Sequence, residues 1–220
     1  MISQFVDRWM LSISLSLVLA NSIISPGLAQ VTGKNDCHRY DPQEATKLRS
    51  IDRRVTRQRT KLIIKTRQQL VVFRDICDKS QEMSTTYTLE SYFPEIDYFL
   101  VRQSAYEEGD YTLVNGKTGA QTVLFTQPVF SPDRQHFASM TIDEMNGNTS
   151  VYIYRIDPTG VKVEYQDNDK KWRPTNPIWR NNTTIEFTNN PRSGKPVKVV
   201  LRRSGRDWVT NSPKVPPDTK

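Results

Sequence analysis

The chain has 220 residues, and its 31 Lys and Arg outnumber 24 Asp and Glu for a formal charge of +7. With an export signal set aside, that length makes one domain or one and a half, able to bury about 70% of its unfolded surface without a metal or dense cross-links. Two cysteines, Cys37 and Cys77, with no C-x-x-C spacing, give a dithiol redox enzyme or a zinc site nothing to rest on.

Residues 1–29 read as a signal peptide. Arg8 supplies a positive start, Leu11 to Ala20 an apolar core, and Pro26 a breaker. Gly27 and Ala29 are small residues at −3 and −1 of a cut before Gln30. The core is interrupted by Ser12, Ser14 and Ser16 and is short for a permanent span, which needs about 20 apolar residues. An uncleaved anchor is the alternative. The expectation is a soluble mature protein, periplasmic or secreted, with no transmembrane span after cleavage. In an oxidising compartment Cys37 and Cys77 are expected to pair, closing a loop of about 40 residues worth roughly 4 kcal/mol. Two free thiols are the other reading.

Residues 30–60 read as a short lead and a basic helix. Asp41 is the expected N-cap, Pro42 fits the first helical position, and Glu44 stands three residues after the cap as in a capping box. Leu48, Ile51 and Val55 share one side at helical spacing, and Arg49, Arg53 and Arg57 recur on the other. Between Lys47 and Arg67 there are nine basic residues against Asp52 alone, a net +8, so the rest of the mature chain is nearly neutral.

Residues 61–211 read as β-rich. Short runs at 62–64, 70–73, 85–89, 98–102, 111–114, 121–125, 137–142, 151–156, 161–165, 184–187, 197–201 and 207–210 alternate with turn signals such as Asn115-Gly116, Asn146-Gly147, Asp157-Pro158 and Ser204-Gly205. The tail, 212–220, is Pro- and Lys-rich and reads as disordered.

A weak repeat runs through the β region. Tyr111-x-Leu113-Val114 followed by Thr118-Gly119 recurs 41 residues later as Tyr152-x-Tyr154 followed by Thr159-Gly160, and again thinly as Val199 and Leu201 before Ser204-Gly205. Pro128-Val129-Phe130-Ser131-Pro132-Asp133 is echoed at Pro177-Ile178-Trp179 to Asn182. These motifs, over residues 98–210, resemble the blades of TolB-like and WD-type β-propellers. The resemblance implies a small or partial propeller-like stack of antiparallel blades behind the helix, with the strands from Leu62 to Leu89 completing a further blade. A β-sandwich is the alternative. The layout also looks like that of exported bacterial proteins and implies no particular activity.

Enzyme motifs are missing: there is no G-x-S-x-G, HExxH, P-loop or Rossmann glycine pattern. His136 reads as a surface turn histidine, with a triad role beside Asp133 as the sharper reading. Glu107, Glu108 and Asp110, or Asp143 and Glu144, read as solvated loop charges before they read as a glycosidase pair. Asp167-Asn168-Asp169 lacks the rest of a calcium loop. No cofactor or metal is expected. Asn148 and Asn182 begin glycosylation sequons.

The binding candidates are basic and aromatic. Arg49, Arg53, Arg54 and Arg57 would offer guanidinium groups to an acidic partner, or else form a solvated helix face. Trp172, among Lys170, Lys171 and Arg173, reads as a rim residue able to stack on a sugar or peptide. Phe130 and Trp179 read as core. The expected function is a non-enzymatic envelope or secreted binding or scaffold module. Its partners would be acidic polysaccharide, an anionic lipid surface or acidic protein rather than nucleic acid. A secreted hydrolase acting on polysaccharide or peptide is the alternative, and a homodimer through an open sheet edge is a third arrangement.

Overall fold

The structure, a computed structural model, describes residues 42–51, 54–77, 84–105, 109–143, 148–167, 173–190 and 195–211. Cys37, Asp41, Arg53 and Trp172 lie outside the described residues. One helix, α1 (Pro42–Ser50), precedes a series of antiparallel sheets. The first sheet holds β1 (Val55–Gln58), β2 (Lys61–Lys65) and β3 (Leu70–Arg74). The second holds β4 (Thr86–Phe93), β5 (Tyr98–Ser104), β6 (Tyr111–Asn115) and β7 (Gln121–Leu124). The third holds β8 (Val129–Phe130), β9 (His136–Asp143), β10 (Asn148–Asp157) and β11 (Gly160–Asp167). The fourth holds β12 (Pro174–Asn181), β13 (Thr184–Asn189), β14 (Val197–Ser204) and β15 (Asp207–Thr210). In every sheet the strands pair in chain order. The chain is thus mainly β, with four antiparallel meanders and almost no helix among the described residues.

The helix is shorter than its sequence pattern implies. It ends at Ser50, whose hydroxyl donates to the Lys47 carbonyl at 2.7 Å, and not near residue 60. The Ile51 and Arg54 amides then bond back to Leu48 and Ile51, and Val55 opens β1 opposite Ile64. Arg54 therefore lies in a turn and Arg57 on a strand, so the expected stripe on one helix face is not formed. The apolar residues keep a common destination nonetheless. Leu48, Ile51 and Val55 all reach the core between the first and second sheets, each from a different local conformation.

Burial explains the two kinds of strand pattern. The second sheet is covered on both faces. Phe99 and Val101 pack with Leu62, Ile64 and Phe73 of the first sheet, whereas Tyr98 and Leu100 pack with Phe137 of the third. A strand buried on both sides reads as a continuous apolar run, here Tyr98-Phe99-Leu100-Val101. The third sheet is covered likewise. Phe137 and Tyr154 stack toward the second, with ring centroids 4.7 Å apart, while Ala138, Val151 and Ile153 meet Ile185, Phe187 and Leu201 of the fourth. The two end sheets bury one face each. In β13 Ile185 and Phe187 point inward and Thr184, Glu186 and Thr188 outward. Among the described residues, no hydrophobic cluster joins the first sheet to the fourth.

The turns occupy equivalent places. Thr118-Gly119, Thr159-Gly160 and Ser204-Gly205 all stand where the third strand of a four-stranded sheet hands over to the fourth. The segment from Pro128 to Asp133, and its echo from Pro177 to Asn182, likewise both lead from a first strand into the turn before the second. Those first turns touch their neighbours. The Asp133 amide donates to Asn182 Oδ1 at 3.1 Å, and Arg134 Nε lies 3.8 Å from Glu95 at the corresponding turn of the second sheet.

Helix, first sheet and second sheet meet at one buried guanidinium. Arg57 Nη2 pairs with Glu44 Oε1 of α1 at 2.7 Å and donates to the Tyr87 carbonyl of β4, while Nη1 pairs with Asp75 Oδ2 at 3.3 Å. Glu44 Oε1 also accepts from the Leu89 amide at 3.1 Å, and Asp75 Oδ1 from the Tyr87 amide at 2.9 Å. Removing one partner of a buried ionic group typically costs about 3–5 kcal/mol. Arg57→Met should therefore destabilise the protein by about 3 kcal/mol or more in urea unfolding, against less than about 0.5 kcal/mol for Arg59→Met on the exposed turn.

Candidate functional site

The four arginines marked by the sequence are sorted by the fold. Arg49 is exposed on α1, and Arg53 lies outside the described residues. Arg57 is consumed by the buried network just described. Arg54 is turned inward as well: its guanidinium lies 4.8 Å from the Phe99 ring centroid and 5.3 Å from that of Tyr92. It pairs with Asp97 Oδ1 at 2.8 Å and donates to Tyr92 Oη at 2.8 Å and the Gly116 carbonyl at 3.2 Å. Arg54 and Arg57 are bolts between layers, with their charges already matched.

What remains outward is the rest of the basic run. The segment from Arg54 to Arg74 contains no acidic residue. The register sets Lys61 opposite Arg74, Ile63 opposite Val72 and Lys65 opposite Leu70, while Leu62, Ile64, Val71 and Phe73 point inward. The outer face of the first sheet thus carries Lys61, Lys65 and Arg74 around a centre of Ile63, Val72 and Leu70. None of these three cations has an ion pair among the described residues. Sequence reasoning counted Lys61 and Lys65 in the basic segment but placed the binding residues on a helix ending before them, because arginine at 49, 53 and 57 is a helical signature; Arg74 lay outside that segment.

A second polar region lies where turns of three sheets converge. A cavity of ≈ 300 Å³ is lined by Arg67 from the first sheet, Asp97, Asn115 and Lys117 from the second, and Asp157 and Pro158 from the third. Main-chain bonds tie the turns together: Arg67 N–H to the Gly116 carbonyl, Gln68 N–H to that of Lys117, and Gly116 N–H to that of Asp97. Gly116 is needed for this approach, since a Cβ there would collide with the Asp97 carboxylate and Arg54. Asp97 holds a left-handed φ of 53° and receives Tyr92 Oη–H at 3.2 Å, with Arg67 Nη2 3.5 Å from its other oxygen. Burial raises the Tyr92 phenol above its ordinary range, so it stays a donor. A hydrogen bond from Lys162, with Arg155 alongside, holds the Asp157 carboxyl below its ordinary range. Both acids of the cavity are therefore matched by cations of the protein itself. Arg67 and Lys117 are its exposed charges.

His136 is not on a surface turn. It opens β9, is 2% exposed, and faces the fourth sheet. Its Nε2 lies 3.2 Å from Glu164 Oε2 on β11, and its ring meets Trp208 edge-on at 5.8 Å with Trp179 at 6.4 Å. Glu164 is held by Arg155 Nε at 3.2 Å, Arg203 Nη2 at 3.5 Å and the Trp208 indole N–H at 3.2 Å. Asp133, the would-be triad partner, instead accepts from Ser131 Oγ at 2.6 Å and the Gln135 amide at 3.1 Å, fixing its own turn. Trp179 packs against Trp208 and donates to the Val129 carbonyl at 2.8 Å, a seam between sheets. Among the described residues no three His, Cys, Asp or Glu side chains are placed to hold a metal, and no helix is long and apolar enough to cross a membrane.

Comparison with protein-family models, with curated proteins and with solved structures found no match for this chain. Its own geometry has to carry the functional argument.

Burial lowers the His136 pKa. Glu164 pulls the other way and is outweighed, while Arg203 adds to the lowering and Asp133 opposes it. The unfolded chain therefore takes up this proton first. Stability should be complete above the ordinary value near pH 6.5 and fall as pH drops below it, by at most about 1.4 kcal/mol per pH unit. Thermal unfolding between pH 7.5 and 5 should show this loss, and His136→Gln should flatten it.

Proposed function

We propose that this chain is an exported, non-enzymatic binding module for an acidic partner, built as an open row of blade-like meanders. The observation that carries the reading is the outer face of the first sheet, where Lys61, Lys65 and Arg74 stand together with no acid on the face and no counter-ion among the described residues. A positive field of this kind recruits and orients an anionic partner. The sequential four-stranded sheets and their equivalent turns favour the blade reading over a sandwich, whose strands cross between two sheets. In this scheme the signal peptide is removed before Gln30. A Cys37–Cys77 bridge would then fasten the lead to the segment just after β3, beside the basic face.

The test is retention of the mature, oxidised protein on immobilised dextran sulfate at low salt. The wild type should bind and elute with salt, and Lys61→Glu/Lys65→Glu/Arg74→Glu should bind at least about a hundredfold more weakly, the loss of three cations alone being worth about 1 kcal/mol each. Arg49→Glu, on the helix, should change little. Equal retention of the wild type and the triple variant would defeat the reading. A peptide map of the same preparation without reductant should contain the Cys37–Cys77 cross-link, and its absence would remove the bridge from the scheme.

A further inference from the structure

We infer that the acidic partner of the first sheet is the surface of an anionic lipid bilayer, which that face meets side-on with its aliphatic centre entering the headgroup layer. The inference rests on the proposed binding of an acidic partner and adds what the apolar half of the same face is for. Leu70 is 62% exposed and Val72 42%, and Ile76, next in phase after Arg74, is 60% exposed. With Ile76 set apart beyond Arg74, Leu70 and Val72 are exposed aliphatics on successive outward positions, which is unusual on a face that meets only water. Lys61 and Arg74 flank them at one end of the sheet and Lys65 at the other. Long cationic side chains around an aliphatic centre suit a membrane interface, where the stems lie along the acyl boundary and the charges reach the phosphates.

Other occupants fit less well. A neutral polysaccharide would need flat aromatic faces, but the one aromatic of β1, β2 and β3, Phe73, points into the core at 8% exposure, and an acidic one would use the cations and leave Leu70 and Val72 in water. A second copy fits poorly too. Pairing this face with itself opposes cations to cations. Pairing it with the free face of the fourth sheet opposes them to Lys198 and Arg202, while Glu186 on that face is already bound to Arg180 at 2.5 Å. Like charges set face to face disfavour both dimers. A fluid anionic surface needs no shape complement and welcomes both halves of the pattern.

The experiment is co-sedimentation of the mature protein with phosphatidylcholine vesicles, with and without about one-third phosphatidylglycerol, beside the dextran sulfate column. Two variants are compared with wild type, Leu70→Ser/Val72→Ser and the triple Glu variant. All their positions face solvent, and thermal unfolding checks that each is folded. Wild type should bind the anionic vesicles and not the zwitterionic ones. The serine variant should bind those vesicles about tenfold more weakly yet stay on dextran sulfate like wild type, and the triple variant should lose both. A serine variant that binds vesicles like wild type would overturn the lipid inference and leave the acidic-partner reading standing. So would binding to dextran sulfate with none to vesicles, or a stable dimer by light scattering that leaves on Leu70→Ser/Val72→Ser. Failure of wild type on both matrices would overturn the two together.

Discussion

A meander of four short strands has two faces and cannot cover either by itself, and the architecture follows from that constraint. Each sheet here covers one face with the sheet before it and the other with the sheet after it. The result is a hydrophobic core between each neighbouring pair. The second and third sheets are buried on both sides, and their central strands carry side chains such as Phe99, Leu100, Phe137 and Ile153 at zero exposure. Among the described residues no cluster joins the first sheet to the fourth, and each has one face exposed. Function is sought first on those faces and at the turns, because the inner sheets expose edge strands, at residues such as Val123 and Val163, and no whole face.

The polar groups follow the same layering. Charged side chains inside the row act as fasteners between layers: Arg57 with Glu44 and Asp75, Arg54 with Asp97, and Glu164 with Arg155, Arg203 and His136. Such buried groups contribute little net stability against apolar replacements of equal volume, but losing one partner is costly, so they fix register and orientation more than they add to stability. Arg54 adds the faces of Tyr92 and Phe99 to its ion pair, which lets a cation sit against a hydrophobic cluster. Lys61, Lys65 and Arg74, on the outer face of the first sheet, have no such ion pair among the described residues. That division separates a basic segment of uniform appearance into a structural half and an available half.

Much of this was legible in the sequence. The strands from β2 to β7, β9 to β11 and β13 to β15 each coincide with a run of β-prone residues between turn signals, since hairpin chemistry is local. Three strands escaped notice for different reasons. β8 is two residues long and carries no period. β12 contains Pro174 and Pro177, and Asn176 sits between them at a φ of 51°. Such a strand is tolerated because it is an edge, paired only with β13 through a shifted register. β1 was hidden by Arg57, whose spacing from Arg49 and Arg53 mimics a helix. His136 was misjudged because a turn sequence precedes it, and burial of a histidine depends on Trp208 and Glu164, which arrive from far along the chain.

The sequence by itself determined the local matters: where strands and turns fall, that the chain is rich in β, and that a strongly basic segment lies next to the first strands. These depend on backbone preference and side-chain alternation within a few residues, and such information is written in order along the chain. Only the tertiary structure decided which of the basic residues are available. Arg54 and Arg57 found carboxylates on α1, on the β4–β5 turn and just after β3, whereas Lys61, Lys65 and Arg74 were directed outward by a register in which Leu62, Ile64 and Phe73 had to be buried. A side chain's charge is fixed by its identity, but whether that charge faces a partner inside or water outside is fixed by the layer packed against its strand.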